Sequence, residues 1–161
     1  MRITGKPGLT LDEIEALLRE TAVARLATHG PGRRINLSPL WFCWAEDRAY
    51  AYTRGQKVAN LRRDPFCTLT VDRNERYPEL HGVMLEGRAT VLEDAAAEAA
   101  DPHLDAVVRD RMGAKYAAAG FGSGPRARNE STAMGKSWRW VVFVPERAFT
   151  WDNRKAKRRG A

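Results

Sequence analysis

"RAYAYTRGQKVANLRRDPFCTLTVD", residues 48–72, holds three elements in twenty-five residues. "AYAYT" alternates small and aromatic residues and predicts a strand. "KVANLRRDP" predicts a short helix that starts near Gln56 and stops at Pro65, because the residue before a proline disfavours helical geometry. "FCTLTVD" returns as another strand. Gly55, at the first junction, lets the backbone approach a ligand closely. The first turn of the helix has unpaired N–H groups and a partial positive charge, an arrangement often used for phosphate. Arg54 stands just before it, Lys57 lies inside the first turn, and the Thr53 hydroxyl adds a donor. Arg62 and Arg63 sit at the other end, where cations complement the negative end of the dipole. A solvated basic helix is the alternative reading of all four.

Working outward, "TLDEIEALLRE" (residues 10–20) carries a capping box, Thr10 with Glu13, and places Leu11, Ile14, Leu17 and Leu18 on one helical face. "AVARLATHG" reads as a strand and "PGRR" as a turn. "INLSPLWFCWA" (35–45) reads as one long strand. Ile35, Leu37, Pro39, Trp41 and Cys43 face one way; Asn36, Ser38, Leu40, Phe42 and Trp44 face the other. Pro39 cannot donate to a ladder, which marks an edge, a bulge or an open seam. "GVMLEGRATVLED" is a strand in which Gly87 signals a bulge or close backbone approach. "AAAEAADPHLDAVVRDRMGAKYAAA" is helical, interrupted near Pro102, with Asp101 able to cap its second half. "GFGSGPRARNESTAMGK" is a polar, glycine-rich connection. "SWRWVVFVP" and "RAFTWD" are two closing strands. Short turns between strands favour a barrel or sandwich, and the few long strands favour the barrel. An incompletely closed barrel could be covered by a second copy of the chain.

The chain has 161 residues, enough for a single domain with a sizeable core. We expect that domain to span residues 1–153, followed by a basic tail over 154–161. Lys plus Arg number 27 and Asp plus Glu 20, a net charge of +7, and much of the excess lies in that tail. The tail alone is weak ground for nucleic-acid binding, which is not expected. No apolar run reaches the length of about 20 residues that spans a bilayer. The amphipathic start lacks the apolar stretch of a signal peptide, so a soluble, cytoplasmic protein is expected. Cys43 and Cys67 sit in apolar strands and read as small buried hydrophobes. His29, His81 and His103 have no ligand-like spacing, so no metal site is expected. "GFGSGP" has neither the strand context nor the spacing of a dinucleotide loop. No nucleophile–base pair is evident, so the catalytic residues are unassigned.

The order "ARLATHGPGRRINLSPLWFCW", "RAYAYTRGQKVANLRRDPFCTLTVD", "GVMLEGRATVLED", "VFVPERAFTWDNRK" resembles the pyridoxamine 5′-phosphate oxidase-like split β-barrel superfamily. Within it the resemblance is closest to the actinobacterial flavin/deazaflavin-dependent oxidoreductases of group B. It covers residues 22–155, and the strand–TRGQKVANLRRDP–strand block is its most specific part. It implies a mainly β fold with flanking helices, a six-stranded antiparallel Greek-key split barrel. It implies a homodimer with two cofactor sites at the interface and a small-molecule substrate. The implied cofactor is the deazaflavin coenzyme F420, or alternatively FMN. By similarity Thr53, Arg54, Lys57 and Asn60 would hold phosphate, while Ser38, Pro39, Leu40 and Tyr52 would line the ring. Residues near Trp151 would reach the partner's site. The C-terminal Arg/His signature that binds substrate phosphate in authentic pyridoxamine phosphate oxidases is missing from "PERAFTWDNRKAKRRGA", so vitamin B6 oxidation is not implied. Gln56 stands where many FMN-binding relatives have Ser or Thr, which favours the deazaflavin. The implied activity is hydride transfer to an unsaturated or quinone-like acceptor. An FMN enzyme or a non-catalytic flavin or haem binder are the alternatives.

Overall fold

The computed structural model describes residues 1–120 and 137–156. The connection expected over "GFGSGPRARNESTAMGK" and the end of the basic tail therefore lie almost wholly outside the described residues.

A short strand β1 (Arg2–Thr4), unforeseen in the sequence, precedes helix α1 (Leu11–Glu20). The capping box forms: Thr10 Oγ1 accepts from the Glu13 amide at 3.3 Å, and Glu13 Oε2 accepts from the Thr10 amide at 2.7 Å. Ile14, Leu17 and Leu18 are buried by the helix, but Leu11, in its first turn, stays exposed. Then come β2 (Val23–His29), β3 (Ile35–Trp41), β4 (Cys43–Ala45) and β5 (Arg48–Thr53). Helix α2 (Gln56–Arg63) links β5 to β6 (Phe66–Arg73), and β7 (His81–Leu92) follows.

The strands pair in the order β3–β2–β6–β7–β8–β5–β4, where β8 is Arg139–Asp152. Every pairing on this path is antiparallel; β1 adds to β8 in parallel. The path has seven strands rather than the six expected, and the reason is local. The stretch read as one strand from Ile35 to Ala45 divides at Phe42, whose amide donates to the Ala22 carbonyl as the last rung towards β2 before the chain changes partner. Its first half pairs with β2 and its second with β5, so one continuous stretch supplies both edges of the sheet. Counted as one bent strand, it restores six. The sheet curls into a half-barrel split at this bend, with crossovers placing β2 beside β6 and β5 beside β8. Pro39 lies on β3, an edge strand, where its missing donor costs nothing.

The two closing strands expected at the C-terminus are one strand. Its interruption at Pro145 is absorbed by a register shift opposite Glu86 and Gly87. A Cβ at Gly87 would stand 2.1 Å from the Val144 carbonyl oxygen, so the bulge requires glycine.

Two apolar clusters result. The barrel core packs Leu26, Phe42, Trp44, Leu69, Val83 and Leu85 under α1 and α2. The second lies outside the barrel, where Tyr50, Tyr52, Trp140 and Val142 are roofed by a helical excursion. That excursion is α3 (Ala95–Ala100), a π-helical turn (Leu104–Val108) and α4 (Arg109–Ala118). Asp101 Oδ1 accepts from the His103 and Leu104 amides at 3.0 and 2.9 Å, so it caps the second half as expected. Cys43 and Cys67 are free and buried, one in each cluster.

Asp152 is fully buried and heavily bonded. Arg154 grips it through its backbone amide, Nε and a terminal nitrogen, at 3.1, 2.8 and 2.9 Å. Lys155 lies 3.4 Å from it and also pairs with Glu13 of α1. The hydrogen bonds from Arg154 hold the Asp152 carboxyl below the usual carboxylate range. A lowered folded-state value means stability that is present above about pH 4 and lost as pH falls through that lower value. Wild type is therefore expected to lose this stability on acidification. Asp152→Asn should be less stable at neutral pH and converge on wild type in acid. Urea midpoints measured across pH 2–7 check this, and parallel curves would contradict it.

Candidate cofactor-phosphate site

The end of β5 and the start of α2 bring Thr53, Arg54 and Lys57 together. Gly55 adopts a left-handed φ of 82°, and a side chain there would meet nothing within 4 Å, so the backbone before the helix is open to solvent. Thr53 is buried, Arg54 exposed and Lys57 half-buried. The Lys57 ammonium donates to the Arg54 carbonyl at 3.2 Å. Burial, and then the neighbouring Arg54 charge, pull the Lys57 pKa below the ordinary lysine value. Neither cation pairs with a carboxylate among the described residues. The Arg54 guanidinium lies over the Trp138 ring, 5.1 Å from its centroid. Trp138 in turn stacks on Tyr52 at 5.3 Å. Two unneutralised cations thus stand at the positive end of a helix, one of them seated on an indole face.

The other end of α2 is spent internally. Arg62 makes a two-pronged pair with Glu93 at 2.7 and 2.6 Å, and Arg139 reaches the same carboxylate. Arg63 donates to the His29 carbonyl at 2.6 Å.

Asn60 is fully buried. Its amide nitrogen donates to Thr28 Oγ1 at 3.0 Å, and its oxygen accepts from Gln56 at 2.8 Å. It braces α2 against β2 and does not project beside Arg54. Tyr52 presents its ring to the outer cluster, while Leu40 faces the barrel core, so these two side chains lie on opposite faces. Ser38 is half-buried and donates to Asn36 at 3.1 Å; Pro39 is exposed. β3 runs against both β5 and α2, which puts Ser38, Pro39 and Leu40 on a strand next to the cationic turn. Trp151 is half-buried and packs so tightly over Gly82 that a Cβ there would sit 2.4 Å from the indole. Trp138 was missed in the sequence: it follows a long polar connection, and nothing in its own neighbourhood ties it to Arg54.

A family model described as pyridoxamine 5′-phosphate oxidase matches residues 10–152. The chain belongs to that family. A conserved hypothetical protein of Mycobacterium tuberculosis has the same fold, with a TM-score of 0.72 and 24% identity over 91% of this chain and 86% of that one. A FAD-binding protein of Mesorhizobium loti aligns at 0.62 and 20% over 87% and 92%. The haem storage protein HutZ of Vibrio cholerae aligns at 0.59 and 17% over 84% and 89%. At these identities the likeness is one of fold. Among curated proteins none matches the sequence. Within this family member, no group of three or more His, Cys, Asp or Glu side chains suited to a metal is found among the described residues. No helix among them is long and apolar enough to cross a membrane.

Proposed function

We propose that the chain is a flavin-type oxidoreductase whose cofactor is held by its phosphate at the start of α2. The observation that carries this is the Arg54–Lys57 pair: two close cations, no carboxylate partner among the described residues, and open backbone at Gly55. A phosphate there would offset the burial and, second to it, the Arg54 repulsion that lower the Lys57 pKa, and would accept from the free amides of the first turn. Asn60 then supports the turn from inside, and Thr53 contributes from the strand end. Ser38, Pro39 and Leu40 would flank the ring along β3, with Tyr52 offering its backbone. The cofactor supplies hydride transfer; the protein orients one ring face and excludes water.

Between cofactors we favour the deazaflavin coenzyme F420 over FMN, with a small unsaturated or quinone-like acceptor. Arg54 is exposed and able to meet a longer anionic tail, and Gln56 turns its amide inward to Asn60. Equilibrium titration of the apoprotein with F420 and with FMN, followed by fluorescence, tests both levels. Binding of F420 at least tenfold tighter supports the finer reading; the reverse order supports an FMN enzyme. Absence of binding by either overturns the cofactor reading. The Mesorhizobium loti neighbour's FAD-binding description favours a flavin-type ligand, whereas HutZ keeps a non-catalytic haem binder as the rival. Haem binding without flavin binding would favour that rival.

We also propose a homodimer formed through the outer sheet face. Ile35 and Leu37 are 71% and 64% exposed on β3, and Val23 and Phe149 lie exposed on the same sheet. Ile35 and Leu37, two residues apart on one strand face, are the kind of exposed apolar surface that an interface covers. Leu37→Glu should convert a dimer to a monomer in analytical ultracentrifugation. A monomeric wild type, or an unchanged mass in the variant, contradicts it.

A further inference from the structure

A cavity of about 420 Å³ opens at the free edge of β4, between α1 and α4. Cys43, Trp44 and Ala114 give it an apolar floor, and Arg19, Arg111 and Lys115 border it. Its size falls in the range of small-molecule sites, roughly 300–1,000 Å³.

The charges around it do not cancel. Arg19 is paired with Glu15 at 3.1 Å, and Glu20, the one acid lining the cavity among the described residues, is paired with Arg73 at 3.0 Å. Arg111 and Lys115 remain. They stand four residues apart on one face of α4, a spacing at which like charges repel. Neither has a carboxylate partner among the described residues. The Lys115 ammonium donates to the Thr21 and Phe42 carbonyls at 2.8 and 3.0 Å and lies 4.7 Å from the Phe42 ring centroid. An ammonium has three donors, so one is left. Burial pulls the Lys115 pKa below the ordinary lysine value, so the helix carries the cost of holding a cation here. Convergence on the floor is visible at Cys43. Burial raises its thiol pKa, and Lys115, Arg111 and Arg19 all act in the opposite direction.

We propose that this cavity binds a small organic carboxylate, its anionic group between Arg111 and Lys115 and its apolar body on Cys43, Trp44 and Ala114. Lys115 also tethers α4 to the chain after α1, so it is unsuitable as the test position. Arg111 and Ala114 are both exposed and can be changed with little effect on packing. The site is independent of the cofactor reading, because its residues come from α1, β4 and α4 rather than from the start of α2.

The probe is benzoate, with benzamide as its neutral counterpart, titrated into the full-length protein. The Trp44 indole N–H, which donates to Glu15 at 2.9 Å beside the cavity, is the NMR reporter. Benzoate should shift the Trp44 signal saturably, and benzamide should bind at least tenfold more weakly, as expected for loss of a charge-assisted contact. Arg111→Ala should weaken benzoate about tenfold by the same reasoning, with partial recovery in Arg111→Lys. Ala114→Trp fills the cavity while keeping both cations and should abolish the shift. If it fails to fold, the Arg111 pair decides. Arg54→Ala should leave benzoate binding unchanged. No saturable shift, equal binding of benzamide, indifference to Arg111→Ala, or loss of binding in Arg54→Ala each overturns the proposal. None of these outcomes depends on whether a flavin binds.

Discussion

Replacing Arg109 with methionine is expected to lower the folding free energy by about 3–5 kcal/mol, the usual consequence of stranding one member of a buried ion pair. Arg109 is only 3% exposed, though its side chain carries a full charge. It is held by Glu98 at 2.5 Å and Asp105 at 2.7 Å, and its guanidinium lies 5.4 Å from the Trp140 ring centroid. It therefore ties α3, the π-helical turn and α4 to one another and to β8. Methionine fills much of the volume but leaves the Glu98 carboxylate buried without a cation. The double variant Arg109→Met, Glu98→Gln should recover part of the loss, because the stranded charge goes with it. Urea unfolding measures both. A loss below about 1 kcal/mol for the single variant would place the pair among ordinary surface bridges and contradict its role as the cap's anchor.

Phe42→Ala should cost about 3–5 kcal/mol, as for other large-to-small changes of a fully buried aromatic. Phe42 is completely inaccessible and sits where the strand from Ile35 to Ala45 divides. Its ring fills the barrel core at the split, and the ring face carries the Lys115 ammonium. Truncation leaves a cavity at the seam and removes the apolar face from a half-buried lysine. Phe42→Leu keeps most of the volume and should cost far less. Similar midpoints for the alanine and leucine variants would show that the seam collapses readily and that the ring does not hold it.

Much of this architecture was legible in the sequence. Strict alternation in "AYAYT" and "FCTLTVD", the Thr10–Glu13 box and the proline after α2 each gave a local rule that tertiary contacts did not override. The break at Phe42 was not legible, because alternation continues unbroken through it: residues 41 and 43 face one cluster side and 42 and 44 the other. What divides the strand is a change of partner, from β2 up to Phe42 to β5 from Cys43 on, which a linear pattern does not show. β1 was missed because three residues beside a glycine carry too little pattern, and its partner lies far along the chain at Arg147–Phe149. In the candidate site, Arg54 and Lys57 followed from the turn chemistry. Asn60, grouped with them only by the family resemblance, lies one turn further into α2 and faces β2. Trp138 needed the pairing of Thr53 with Arg139 to bring it beside Arg54.

The central claim is that Arg54 and Lys57 form the anion clamp of a flavin-type cofactor. Its most direct test is the dissociation constant of the tighter-binding cofactor for wild type, Lys57→Ala and Arg54→Ala, with thermal unfolding confirming that each is folded. Each deletion should weaken binding by about tenfold or more, the expected loss for one charge-assisted phosphate contact, and less so at high salt. Equal affinity in wild type and both variants would contradict the claim.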